Sequence, residues 1–133
     1  MPDQSHVGRR YEATGQVVDG AGAEGFARAI AGSSEVYSPG SVPPTYGAVY
    51  CLFPTLYQLF GDAEVGVNLA GLVHGEQTFE WPTPVRAGDV VDASAVIASV
   101  EEKRGMTFLG IEHEAHRQDG EIVCRGRSLM IIR

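Results

Sequence analysis

The chain has 133 residues, ten basic against seventeen acidic, for a formal net charge of −7. A hydrophobic fraction of 44% with 20% charged residues belongs to a globular chain with one core, not to a disordered or fibrous one. The acidic balance excludes the broad positive field that holds a phosphate backbone, so no nucleic-acid partner is expected, and the length leaves no room for separate cofactor and substrate domains. The opening MPDQSHVGRR has no apolar leader core, and no window reaches the roughly 18 uninterrupted apolar residues of a membrane span, so a cytoplasmic protein without a membrane partner is expected. Cys51 and Cys124 sit in apolar stretches with no C-x-x-C and no His at ligand spacing, which predicts buried reduced thiols and no metal site.

No repeat, low-complexity tract or composition break divides the chain. Residues 1–133 read as a single domain whose body starts near Val7, the first ten residues being a loose lead-in. Gly15 to Asp19 suits a short edge strand. Phe26, Ala27, Ile30 and Ala31 recur at helical spacing and predict a helix over Ala23 to Ala31, stopped by Gly32, Ser33 and Ser34. A Pro/Gly/Ser loop runs from Tyr37 to Val42. Pro43 and Pro44 then open the longest apolar stretch, Thr45 to Phe60, where Tyr46, Val49, Tyr50, Phe53, Leu56, Tyr57 and Phe60 line a broad helical face and Pro54 predicts a kink. Small residues on the remaining side, Gly47, Ala48 and Cys51, predict a helix buried nearly all round.

From Leu69 the period changes to two. Strands are predicted over Leu72 to Trp81, Val90 to Glu102, Met106 to Gln118 and Ile122 to Ile132, with turns at Lys103 to Gly105 and Asp119-Gly120. A helix that is apolar on most sides needs cover on most sides, which a strongly curved antiparallel sheet supplies. The expected class is α+β, a hot-dog fold in which the curved sheet wraps a long central helix.

Four ordered motifs, FARAIAG (Phe26 to Gly32), VPPTYGAVY (Val42 to Tyr50), VHGEQTFEWPTPVRAGDVV (Val73 to Val91) and EKRGMTFLGIEHEAHRQDGE (Glu102 to Glu121), resemble the MaoC-like dehydratases. The likeness is to their N-terminal, fatty-acid-synthase-like subgroup, which includes the HadA- and HadC-type subunits of (3R)-hydroxyacyl-ACP dehydratase. It implies a hot-dog fold, two hot-dog units side by side, and substrates that are acyl thioesters of ACP or CoA, with no cofactor. The family's hydratase motif reads G-D-x-N-P-x-H. Laid on FARAIAGSSEVYS, it puts Gly32 at the Asp, Ser34 at the Asn and Tyr37 at the His. Gly cannot exchange a proton, and Tyr with a reference pKa of about 10 needs a large shift to do so near neutrality. No Asp or His occurs between Asp19 and Gly61, so slipping the alignment does not restore the pair.

The expected function follows from that gap. The chain reads as the acyl-chain-binding subunit of a (3R)-hydroxyacyl-thioester dehydratase or enoyl hydratase, a hydro-lyase subunit inactive alone, its partner hot-dog subunit carrying the Asp/His pair. The alternatives are a self-sufficient homodimeric hot-dog dehydratase, isomerase or thioesterase of fatty-acid or polyketide metabolism, and a non-enzymatic acyl-binding module. No carboxylate lies between Pro43 and Phe60, which counts against a thioesterase. His74 and Glu76, two apart, fall on one face of a regular strand and form the fallback catalytic couple. Tyr37, Pro43, Tyr46, Tyr50, His74 and Gln77 are the substrate-binding candidates, and Tyr57 extends the tyrosine stripe. Asp89 reads as a turn cap. His113 reads as a partly buried imidazole and His116, on the opposite face, as a solvated one. Arg9, Arg10, Arg86, Lys103 and Arg104 are the local basic spots for an acidic carrier or CoA phosphates.

Overall fold

The computed structural model describes residues 1–133, the side chain of Val36 set aside. Its strands are β1 (Arg10–Val17), β2 (Leu72–Glu80), β3 (Val90–Lys103), β4 (Met106–Arg117) and β5 (Ile122–Ile132), and its α-helices are α1 (Gly20–Ala31) and α2 (Phe53–Phe60). The strands form one antiparallel sheet in the order β1-β3-β4-β5-β2, which leaves β1 and β2 at its edges. Period-two alternation is visible in the burial: Leu109, Ile111, His113 and Ala115 of β4 face inward, as do Cys124, Gly126, Ser128, Met130 and Ile132 of β5. The tight turn after β3 has positive φ at both central residues, Arg104 at 55° and Gly105 at 76°, which matches the right-handed twist of the flanking strands.

The helix over the inner face is composite. A 3-10 turn at Pro44–Tyr46 leads into a π-helical turn at Ala48–Leu52 and then into α2. Pro54 accounts for the irregularity. Its ring has no N–H to give and clashes with a carbonyl four residues back, so the chain inserts a wider turn just ahead of it, with Phe53 N–H bonded to the carbonyl of Ala48. The expected kink thus takes the form of a π turn. Leu52, Leu56 and Leu59 bury against Ile97, Leu109, Ile111, Met130 and Ile132, and each fully buried side chain of this size contributes about 1.5–3 kcal/mol.

Two expectations about packing need correction. The composite helix is not covered all round: Val49, Phe53 and Tyr57, spaced four apart, are exposed, Tyr57 to 67%. Phe53 and Tyr57 stack on each other with ring centroids 5.7 Å apart. The apolar period showed a helix with apolar residues all round, but periodicity does not say whether each side meets this chain's own sheet. The first ten residues are also not a loose lead-in. Asp3 caps a 3-10 turn at Gln4–His6, Pro2 is buried, and the N–H of Gly8 bonds to the carbonyl of Ile97 at 2.8 Å. Arg9 pairs with Asp62 at 2.7 Å and Glu64 at 2.6 Å, while the Tyr11 hydroxyl donates to Asp62 at 2.8 Å. Those bonds fasten the N-terminal segment to the end of α2.

At the start of α1 the Asp19 side chain accepts from the N–H of Gly22, which brings the helix start to Gly20. Gly32 ends α1 in the left-handed conformation, φ 77°, its N–H on the carbonyl of Arg28. Phe26 of α1 packs edge-on against Tyr46, centroids 5.3 Å apart. A Cβ at Gly22 would lie 2.5 Å from the Tyr46 hydroxyl, so glycine is what permits this approach.

Candidate active site and the adjoining clefts

Two adjoining clefts flank the start of the composite helix. The larger, about 660 Å³, lies between α1 and the loop that follows it, and Ala23, Ala27, Ser34, Tyr37, Ser41 and Ala87 contribute to its wall. The second, about 320 Å³, is lined by Ser41, Val42, Pro44, Tyr50, Trp81 and Val85, with Arg86 also at its wall. Ser41 borders both. The second is the more apolar by residue type. Its Trp81 ring stacks on Phe79 at 5.5 Å, and burial pushes the Tyr50 hydroxyl well above the usual tyrosine range. Tyr50 is therefore a neutral donor at neutral pH.

The substrate-binding candidates divide accordingly. Tyr37 lines the first cleft and Tyr50 the second, whereas Pro43 and Tyr46 are buried and line neither. Tyr46 joins α1 to the central helix, and burial together with the nearby Asp19 carboxylate raises its pKa. At the positions that the motif resemblance assigns to an acid–base pair, Gly32 is the stop of α1 and Tyr37 is half-buried. Trp81, at the end of the strand motif, lines the second cleft without having been a candidate in the sequence; its place directly before Pro82-Thr83-Pro84, where the strand must end, is the available signal.

His74 and Gln77 stand elsewhere, on edge strand β2. The register of β2 on β5 shifts at Gly75: His74 pairs with Met130 and Glu76 with Leu129. Paired residues share a face and successive residues alternate, so the bulge puts His74 and Glu76 on opposite faces. The expected His74/Glu76 couple is therefore not formed. His74 meets Gln77 instead, Nε2 to Oε1 at 3.0 Å. Gln77 Oε1 also accepts from the Ser128 hydroxyl at 2.5 Å, and Ser128 Oγ lies 2.8 Å from His113 Nε2. A polar chain thus crosses from the exposed edge of the sheet into its interior, where Ser128 and His113 are 2% and 3% exposed. Burial, with His74 adding repulsion, lowers the His113 pKa to about 4, so it is neutral at pH 7. Its Nδ1 is buried without a partner.

Other groups are engaged locally. Asp89 accepts from the N–H of Arg86 at 2.8 Å, as a turn cap does, and His116 pairs with Glu114 at 2.9 Å. Of the basic spots, Arg9 is held by Asp62 and Glu64, Arg10 by Glu12 and Lys103 by Glu101, which weakens their claim on an acidic ligand. Arg86 donates to the carbonyl of Pro39 beside the clefts. Cys51 and Cys124 are free and fully buried. A hydrogen bond from Cys51 to Cys124, with burial, pushes the Cys51 thiol up; at Cys124 that bond and one from Tyr50 outweigh burial and lower the pKa. Among the described residues no group of three His, Cys, Asp or Glu is placed to hold a metal ion, and no helix is long and apolar enough to cross a membrane.

A five-stranded antiparallel sheet with a helix laid over its inner face is the hot-dog fold. A family profile described as "FAS1-like, dehydratase domain region" matches residues 5–125, and the chain belongs to that family. A UPF0336 protein of Streptomyces coelicolor is 29% identical over 98% of this chain and 95% of its own length. Among solved structures, the HadBC (3R-hydroxyacyl-ACP dehydratase) complex of Mycobacterium tuberculosis is similar with a TM-score of 0.76 and 22% identity, covering 95% of this chain and 96% of that one. The (R)-hydratase from A. caviae involved in PHA biosynthesis is similar with a TM-score of 0.61 and 21% identity, over 98% and 100% of the two chains. The hot-dog fold expected from the motifs is the fold observed.

Proposed function

We propose that this chain is the acyl-chain-binding subunit of a (3R)-hydroxyacyl-thioester dehydratase or enoyl hydratase, and that a second hot-dog subunit supplies its acid–base pair. The observation that carries this reading is the absence of proton-transfer chemistry where the family places it. Gly32 fills one position as a left-handed helix stop and Tyr37 the other, and the fallback couple is split by the bulge at Gly75. Two further features support an incomplete unit. β2 is an open edge whose backbone can take another strand, and the Val49, Phe53 and Tyr57 stripe is an apolar helix face with no cover in this chain.

In this reading the partner's base takes the proton from C2 of the 3-hydroxyacyl thioester. The electron pair forms the C2=C3 bond, the C3–O bond breaks, and the departing hydroxyl is protonated to water. The thioester is carried by ACP or CoA, and this chain supplies apolar wall, including Tyr50 and Trp81, and excludes water from the acyl chain. The test is a paired knock-out in the assembled enzyme. Replacing the partner's Asp and His by Ala abolishes turnover, whereas Tyr37→Phe in this chain retains kcat. Loss of turnover in Tyr37→Phe, with binding intact, overturns the assignment.

A further inference from the structure

The polarity of the buried chain can be read from its chemistry. The Gln77 amide nitrogen donates to the carbonyl of Thr78 at 2.9 Å, which can only accept, so the amide oxygen is the end that faces Ser128 and His74. That oxygen also can only accept. Ser128 therefore donates its hydroxyl proton to Gln77, and His74 donates from Nε2. With its proton committed, Ser128 Oγ receives a proton from His113 Nε2. His113, deeply buried and neutral, carries its one proton on that nitrogen. Every proton in the chain points toward Gln77 Oε1, so in its neutral form the His74 imidazole presents Nδ1 as a bare lone pair on an exposed edge strand. The bulge at Gly75 is what makes this arrangement available, since a regular strand would turn His74 away from Gln77.

We propose that His74 binds the acyl thioester through this lone pair, with Gln77, its amide oriented by the Thr78 carbonyl, as the positioning residue that fixes its Nε2–H tautomer. The proposal rests on the two-subunit reading above. Antiparallel addition of a second strand to β2 sets the first half of one strand beside the second half of the other. His74, in the first half of β2, is thereby carried toward the partner's end of the joint sheet, where this chain alone has no cleft. The ligand group that such an acceptor takes is a donor, and a 3-hydroxyacyl thioester offers two kinds: the O–H on C3 and the amide N–H groups of the pantetheine arm.

The tautomer is read on this chain alone by nitrogen-15 NMR at pH 7.5. Wild-type His74 shows a protonated Nε2 and a bare Nδ1, and Gln77→Leu, which removes the acceptor oxygen, gives a mixed tautomer. Binding is then measured by calorimetry in the complex, with the partner's acid–base pair replaced by Ala. His74→Phe weakens (3R)-3-hydroxybutyryl-pantetheine by about tenfold, the worth of one hydrogen bond. If crotonyl-pantetheine, which lacks the C3 hydroxyl, is unaffected, the donor is that hydroxyl; if it weakens equally, the donor is the arm. No change for either ligand, or a protonated Nδ1 in wild-type His74, overturns the proposal. The tautomer result does not depend on a partner, so its failure leaves the subunit assignment standing, and turnover by the lone chain would overturn the subunit assignment while leaving the tautomer intact.

Discussion

Replacing His113 by Asn should flatten the pH dependence of folding stability between pH 7 and pH 5. In the folded chain the His113 pKa lies at about 4 against 6.5 for a free imidazole, because burial disfavours the charged ring and His74 adds to the cost. The folded-state value is depressed, so the unfolded chain binds more protons between the two values. The stabilisation of the neutral ring is complete above pH 6.5 and is lost as pH falls toward 4. At about 1.4 kcal/mol for each pH unit of difference, the full loss is about 3 kcal/mol, of which about 2 kcal/mol is spent by pH 5. The carboxylates held below their usual range, Asp3, Asp62 and Asp119, titrate lower and do not obscure this window. Urea unfolding at pH 7, 6 and 5 measures the slope, and Asn at 113 still offers Ser128 a donor while removing the titration. An unchanged slope in His113→Asn would refute the assignment of that acid sensitivity to His113.

The packing makes further predictions. Gly22→Ala should cost about 1–3 kcal/mol in urea unfolding, since its Cβ would sit 2.5 Å from the Tyr46 hydroxyl; a neutral effect would mean that α1 and the central helix are not held so closely. Leu59→Ala, at a fully buried position, should cost about 2–5 kcal/mol in the same assay. Phe53→Asp with Tyr57→Asp should leave circular dichroism and unfolding of the isolated chain close to wild type but prevent assembly with a second hot-dog subunit, as read by light scattering. Cys51 and Cys124 should resist a thiol reagent in the folded chain and both react once urea unfolds it; fast labelling of the native protein would contradict their burial.

The four later strands were legible because strong turn signals bound them and β3 and β4 alternate in burial over much of their length, and Arg104-Gly105 supplied the positive φ its turn requires. β1 was misplaced, expected at Gly15 to Asp19 and found at Arg10–Val17, because its outward residues are polar and Tyr11 is its one well-buried side chain. The N-terminal segment docks by backbone bonds and charged pairs, which leave no apolar period in the sequence. At the site, the lack of any Asp or His between Asp19 and Gly61 was readable from residue types alone. The polar chain was not, because a single bulged glycine reverses which neighbour His74 meets, and the partners Ser128 and His113 come from two other strands.

The most direct test of the two-subunit account is enoyl-thioester hydration with a fixed amount of a hot-dog subunit that carries the Asp/His motif, titrated with this chain. The account predicts no turnover from this chain alone and a rate that climbs to a plateau at an equimolar ratio. Turnover by the homogeneous chain, equal to that of the mixture, would contradict it.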